Sequence, residues 1–222
     1  MSEARSSFAL WEAFRARTSG LGDRTAVATP RGERTFDELW KEADRLAALF
    51  ARARIPEGAV VGLALPNSPR FLEAVLALWR LDATVALLSP QYGSGELAAI
   101  ATGIEPAYIV ADTTTAAGIS AAVPISRSSA VGDLEVLVPD AGAEASARSA
   151  AVLKFSSGST AEPKGIALSA GNVIVEVENV TRTFGLGHGD RILAGVPLFH
   201  SYGFDLGVLP TLYAGSTLVL QD

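Results

Sequence analysis

Residues 60–88 read VGLALPNSPRFLEAVLALWRLDATVALL with the flanking valine, and this pattern restricts the fold more than any other in the chain. Val60 to Leu65 is a continuous apolar run of strand length, halted by Pro66-Asn67-Ser68-Pro69. Ser68 as cap and Pro69 at the first helical position start a helix that reaches about Leu81. After Asp82-Ala83 a second apolar run, Thr84 to Leu88, follows. Two buried strands joined by a full helical crossover pair parallel, because a hairpin turn cannot connect them. The same order recurs in ILAGVPLFHSYGFDLGVLPTLYAGSTLVL: a strand from Arg191 to Val196, a proline-bearing turn, a helix from Phe204 to Tyr213 despite Pro210, and a strand from Ser216 to Leu220. The expected fold class is therefore α/β, with mainly parallel sheets flanked by helices in a repeated strand–helix–strand arrangement.

The remaining elements fit around these units. Ser6 or Ser7 caps a first helix through Leu10, Trp11 and Phe14. Thr25 to Ala28 and Arg34 to Phe36 form a small hairpin across Pro30-Arg31-Gly32-Glu33. Thr35-Phe36-Asp37-Glu38 is a capping box, opening a helix to about Ala53 with Phe36, Leu39, Trp40, Ala43, Leu46, Ala47 and Phe50 on its core face. Ser94 to Thr102 reads as a helix, Ala107 to Ala111 as a strand, and Ser169 caps a helix to Phe184 that Gly185 to Gly189 ends. Between Asp112 and Ala150 the pattern dissolves into Ala, Ser, Thr and Gly around one strand at Leu134 to Val138. These features divide the chain into a first α/β portion (1–111), a variable connection (112–150) and a second α/β portion (151–222).

Composition excludes several classes of function. A net charge of −6 over 222 residues argues against a binder that works by neutralising nucleic-acid phosphates. No apolar stretch is long enough to span a membrane, and the first residues lack the charged start and apolar core of a secretory leader. With no cysteine and two histidines, neither a disulfide framework nor a His/Cys metal site is expected, and a reducing, cytoplasmic setting fits.

The chemistry concentrates at Val152 to Leu168, VLKFSSGSTAEPKGIAL. An apolar run ends in Ser156-Ser157-Gly158-Ser159-Thr160, and Lys164-Gly165 precedes a second apolar run. Glycine allows close backbone approach to an anion, hydroxyls and N–H groups donate hydrogen bonds, and a lysine adds a point charge. A solvated Ser/Gly turn is the alternative for such a run. Lys154 and Lys164 bracket it in a chain that otherwise prefers arginine, the third lysine being Lys41. A Walker-type phosphate loop requires Ser or Thr after the lysine and then a helix; Gly165 and an apolar strand stand there instead.

FSSGSTAEPKG resembles the phosphate-binding signature of the adenylate-forming enzymes, which include acyl- and aryl-CoA synthetases, luciferases and peptide-synthetase adenylation domains. PLFHSYG is similar to the next signature of that family in its acyl-CoA synthetase form. RTFDELWKEADRLAALF and the 60–88 block are similar to upstream blocks, so the resemblance runs from about Thr25 to Leu220 and implies part of the N-terminal domain of such an enzyme. It implies an acid–thiol ligase: a carboxylate, fatty or otherwise apolar, attacks the α-phosphorus of ATP, and CoA or a carrier-protein phosphopantetheine then takes the acyl group. Ser156, Ser157, Gly158, Ser159, Thr160, Lys164 and Gly165 would hold the β- and γ-phosphates, with Lys164 also counted as catalytic. His200 would place the acid beside the α-phosphate, with Ser201, Tyr202 and Gly203 shaping the acyl pocket.

Two departures qualify this. Ala161 stands where the family commonly has glycine. The family's downstream signatures, for adenine, ribose, Mg²⁺ and the C-terminal lysine, are not found before Asp222, and Asp190 and Asp205 match none of them. The expectation is a piece or split half of a ligase, inactive alone and needing a C-terminal portion, with an acyl carrier protein as a further possible partner. The alternative is a non-catalytic remnant or interaction module with at most weak nucleotide binding.

Overall fold

The computed structural model describes residues 6–140, 150–156 and 164–221, with backbone alone at residues 98, 101, 102, 104, 156 and 164. The elements in order are α1 (Ser7–Thr18), β1 (Thr25–Thr29), β2 (Gly32–Thr35), α2 (Phe36–Arg52), β3 (Val60–Ala64), α3 (Pro69–Arg80), β4 (Thr84–Leu87), α4 (Ser94–Ile104) and β5 (Tyr108–Asp112). Then come α5 (Thr113–Ala122), β6 (Ile125–Val131), β7 (Leu134–Pro139), β8 (Val152–Ser156), β9 (Lys164–Leu168), α6 (Ala170–Phe184) and β10 (Arg191–Leu193). Helix α7 (Ser201–Gly203), a π-helical turn (Phe204–Val208) and α8 (Leu209–Ala214) follow without a break, and β11 (Thr217–Val219) closes the series.

The strands form two sheets. One has seven strands in the order β6-β7-β5-β3-β4-β8-β9; the other has four, β10-β11-β1-β2. Both repeated units pair as their crossovers require: β3 lies parallel to β4, and β10 parallel to β11. Parallel pairs β3–β5, β4–β8 and β1–β11 complete the parallel set, while β1–β2, β5–β7, β6–β7 and β8–β9 are antiparallel, so the edge strands β2, β6 and β9 pair antiparallel and the edge strand β10 parallel. Strands from near the start of the chain thus share both sheets with strands from beyond residue 151.

Alternation along the central strands assigns the layers. Val61, Leu63, Val85, Leu87 and Val110 join one core with α2, α3 and α6. Their neighbours Val60, Ala64, Ala86, Leu88, Ile109 and Ala111 join a second core with Leu97 and Ile100 of α4 and Ala116 and Ile119 of α5. Side chains alternate faces in a strand, so a strand apolar at every position is covered on both sides. Helix α3 is buried from Phe71 through Trp79. It packs against α2, whose capping box forms as expected: Thr35 Oγ1 accepts from Glu38 N at 3.2 Å, and Glu38 Oε2 accepts from Thr35 N at 2.9 Å.

Three differences from the sequence reading have physical causes. Ser68 occupies the cap of α3, but its hydroxyl donates to Pro66 O at 3.1 Å rather than accepting from the helix; Pro69 supplies the start instead. The stretch from Asp112 to Ala150 holds α5 and β6 in addition to the expected strand. The first buries only Ala116 and Ile119, and the second is an edge strand largely exposed on both faces, so neither carries an apolar period. The last helix starts at Ser201, not Phe204, and widens into a π turn just before Pro210. Pro210 has no N–H to donate, and its ring would crowd the carbonyl four residues back in a regular helix.

Candidate functional site

Ser157, Gly158, Ser159, Thr160 and Ala161 lie outside the described residues, as do Glu162 and Pro163. What the structure gives is their anchorage. β8 and β9 form an antiparallel hairpin stem whose register ends on Ser156 opposite Lys164, with Phe155 opposite Gly165. The two ends of the Ser/Gly segment are therefore held together, and β8 is fixed on its other side to the buried strand β4. Helix α6 leaves β9 under a capping box, in which Ser169 Oγ accepts from Asn172 N at 3.2 Å and Ser169 N donates to Asn172 Oδ1 at 3.1 Å.

His200 sits at the cap of α7. Its amide donates to Pro197 O at 3.0 Å and its carbonyl accepts from Phe204 N at 2.9 Å, which folds Pro197–Gly203 into a compact turn. The imidazole Nδ1 accepts from Tyr202 N at 3.3 Å. A ring that accepts at Nδ1 carries its neutral-state proton on Nε2, so the far nitrogen is a hydrogen-bond donor. The exposed Tyr202 ring (64%) stacks on His200 with centroids 5.9 Å apart and planes 7° apart.

Gly203 explains the tightness of the turn. A Cβ there would lie 2.1 Å from Pro197 O and 2.8 Å from Val196 O. Only glycine lets the helix start press against that backbone. From the opposite side, Asn67 of the β3–α3 turn accepts from Leu198 N at 2.8 Å, so the turns of the two repeated units are tied together.

One further pair joins the turn to the loop stem. Lys154 of β8 places its Nζ 2.5 Å from Asp205 Oδ1 and 3.3 Å from Glu176 Oε2 of α6. Burial pushes the Asp205 carboxyl up to about 6, with Lys154 pulling against it. Sequence reasoning missed this contact. Its available signals were a lysine inside the apolar run VLKF and an aspartate inside the apolar helix FDLGVLPTLY.

A cleft of about 480 Å³ opens elsewhere, between the β1–β2 turn, the β3–α3 turn and the end of β11, with Arg31, Arg34, Asn67 and Ser68 on its wall. Among the described residues, none of the expected site residues lines it. Asn67, on its wall, ties it to the His200 turn through Leu198 N. Among the described residues no group of three or more His, Cys, Asp or Glu is arranged to hold a metal ion, and no helix is long and apolar enough to cross a membrane.

Comparison with known proteins gives the family and the fold. The family model described as "AMP-binding enzyme" matches residues 14–222. The chain is 30% identical to 2,3-dihydroxybenzoate-AMP ligase of Bacillus subtilis (strain 168) over 94% of its own length and 42% of that protein. It is 31% identical to a feruloyl-CoA synthase of Amycolatopsis sp, covering 96% of this chain and 43% of the relative. In structure it superposes on a long-chain-fatty-acid-CoA ligase from Archaeoglobus fulgidus with a TM-score of 0.76 at 22% identity, covering 98% of this chain and 47% of that one. The chain thus spans less than half the length of these proteins. A family match running from α1 to β11 is decisive for membership, and the protein belongs to the AMP-binding enzyme family, with the α/β fold of the N-terminal part of an adenylate-forming enzyme.

Proposed function

We propose that this chain supplies the phosphate-binding side and part of the acyl side of an ATP-dependent acid–thiol ligase. The observation that carries this reading is convergence. The stem of the Ser/Gly loop and the turn bearing His200 are remote in sequence, yet they meet through Lys154 and Asp205. Ser156, Ser157, Gly158, Ser159, Thr160 and Gly165 would cradle the β- and γ-phosphates of ATP, and Lys164 would supply the charge that moves with the pyrophosphate. His200 would orient the carboxylate toward the α-phosphorus through its Nε2–H. ATP supplies the leaving group, and Mg²⁺, with ligands outside these residues, would screen its phosphates. Acyl transfer would then go to CoA or to a phosphopantetheine on a carrier protein.

A fatty or aryl acid fits better than an amino acid. Asp205, in the π turn that continues the His200 helix, and Glu176 of α6 are both engaged by Lys154 rather than presented to an ammonium group. The named relatives, a dihydroxybenzoate ligase and a feruloyl-CoA synthase, point the same way. Completion by a C-terminal portion, in the same or a separate chain, belongs to this proposal.

Two measurements test it. Acid-dependent ATP–pyrophosphate exchange should appear when the chain is joined by a matching C-terminal portion; absence in every combination favours a non-catalytic remnant. In the completed enzyme, Lys164→Ala should weaken ATP binding by about 1.5–3 kcal/mol, the worth of a hydrogen bond to a charged group. Unchanged ATP affinity would remove Lys164 from the role given to it.

A further inference from the structure

Lys154 leaves β8 two residues before the strand ends at Ser156, in a run whose neighbours Val152 and Leu153 are buried apolar side chains. Its own side chain is 7% exposed, and it lies beside the Phe204 ring, 6.0 Å from Nζ to the centroid. Its two carboxylate partners come from different segments: Glu176 from α6, which follows the loop hairpin, and Asp205 from the π turn that continues the His200 helix. One cation therefore joins three segments that all border the candidate site.

A buried ion pair is a weak source of stability, because desolvation offsets most of the attraction, and apolar replacements of similar volume are often as good or better. What it does provide is directional geometry. Apolar surfaces can slide past one another at little cost, whereas a lysine and a carboxylate at 2.5 Å hold one distance.

We propose that Lys154 and Asp205 are positioning residues, which lock the stem of the Ser/Gly loop to the His200 turn so that the phosphate side and the acyl side of the site move as one body. The inference rests on the adenylating reading of that site. In this role neither residue needs to touch ATP or the acid; each acts through the segment that carries it. Glu176, more exposed, braces the pair from α6 without joining the two halves.

The test compares the parent with Lys154→Met, Asp205→Leu and the double variant, all in the full chain. Urea midpoints, the imidazole signals of His200 by NMR and ATP affinity are measured for each. The chain has two histidines, so His200→Gln assigns the signals. Lys154→Met leaves the buried Asp205 without its cation, and Asp205→Leu leaves Lys154 with Glu176 alone, so both should lose stability, the first more; the double removes both charges of the pair and should regain most of the parent's midpoint. Positioning requires that the stable double variant still show a displaced His200 signal and at least tenfold weaker ATP binding. Return of both to parental values along with the midpoint would make the pair merely structural and overturn the proposal. If the parent binds no ATP, the adenylating reading fails separately. The His200 signal then decides alone: unmoved in the folded double variant, it overturns the coupling; displaced, it supports it.

Discussion

Replacing Gly203 with alanine sets two physical effects of opposite sign against each other at the centre of the His200 turn. The backbone there is right-handed helical, with φ −65° and ψ −38°, so helix propensity alone favours alanine by about 1 kcal/mol. Sterics oppose it. The new Cβ would stand 2.1 Å from Pro197 O, 2.6 Å from Pro197 C and 2.8 Å from Val196 O. All three are backbone atoms, which cannot rotate aside as the end of a flexible side chain can. Relief requires moving residues 196–203, whose position is also set by the Asn67–Leu198 hydrogen bond and by buried Phe204. Overpacking of this kind costs about 1–3 kcal/mol and occasionally more, and contact with rigid backbone argues for the upper end. Set against the propensity gain, the expected net loss is about 2 kcal/mol, or a fall in Tm of roughly 4–8 °C for a chain of this size. Gly118→Ala is the control. It lies in the exposed middle of α5 with nothing within 4 Å of its added Cβ, so it should gain about 0.5–1 kcal/mol. Thermal unfolding followed by circular dichroism, with urea midpoints, reads both variants. A Gly203→Ala protein as stable as its parent would refute the steric argument.

Two other perturbations follow from the same structure. Asn67→Ala removes the acceptor for the partly buried Leu198 amide, at a cost of about 1–3 kcal/mol, while Asn67→Asp should keep most of the interaction; hydrogen exchange at Leu198 should quicken only in the alanine variant. Glu73, with its side chain 2% exposed between Arg34 and Arg70, has its carboxyl pushed by burial from 4.5 up to about 6 against the pull of both arginines. A carboxyl raised in the folded state contributes stability that is fully present below pH 4.5 and lost as pH climbs through 6. That amounts to about 2 kcal/mol by linkage. Urea midpoints between pH 4.5 and 7 should show this fall in the parent and a shallower one in Glu73→Gln; identical slopes would count against it.

The sequence was most legible where local chemistry and the global fold agree. Thr35 and Glu38 specify their capping box within four residues, and the stripe from Phe36 to Phe50 has no other use than a core face. Pro66 to Leu88 and its echo from Arg191 to Leu220 reveal parallel pairing because a helix between two apolar runs allows little else. Helix α5 and β6 were hidden because they border solvent and bury few apolar side chains. For the candidate site, order along the chain was enough to single out the loop residues and His200 as candidates. The tie between Lys154 and Asp205 was not, since it depends on which strand faces which helix. The need for glycine at 203 arises only once the helix start is pressed against Pro197.

The pairing of β1 with β11 has a consequence for how the chain acquires its structure. Val27 aligns with Leu218 and Ala28 with Val219, so the four-stranded sheet is completed by segments from near opposite ends of the sequence. Closing a loop of roughly 190 residues costs about 4–5 kcal/mol from its length-dependent entropy alone, and nothing in the β1–β2 hairpin repays that until β11 arrives. During synthesis the hairpin must wait for roughly 190 further residues to emerge, while β3, α3 and β4 can assemble as soon as they are made. Folding should therefore be staged, with the seven-stranded sheet built early and the four-stranded one sealed last. High contact order of this kind slows the final step and prolongs exposure of the unpaired edge of β1.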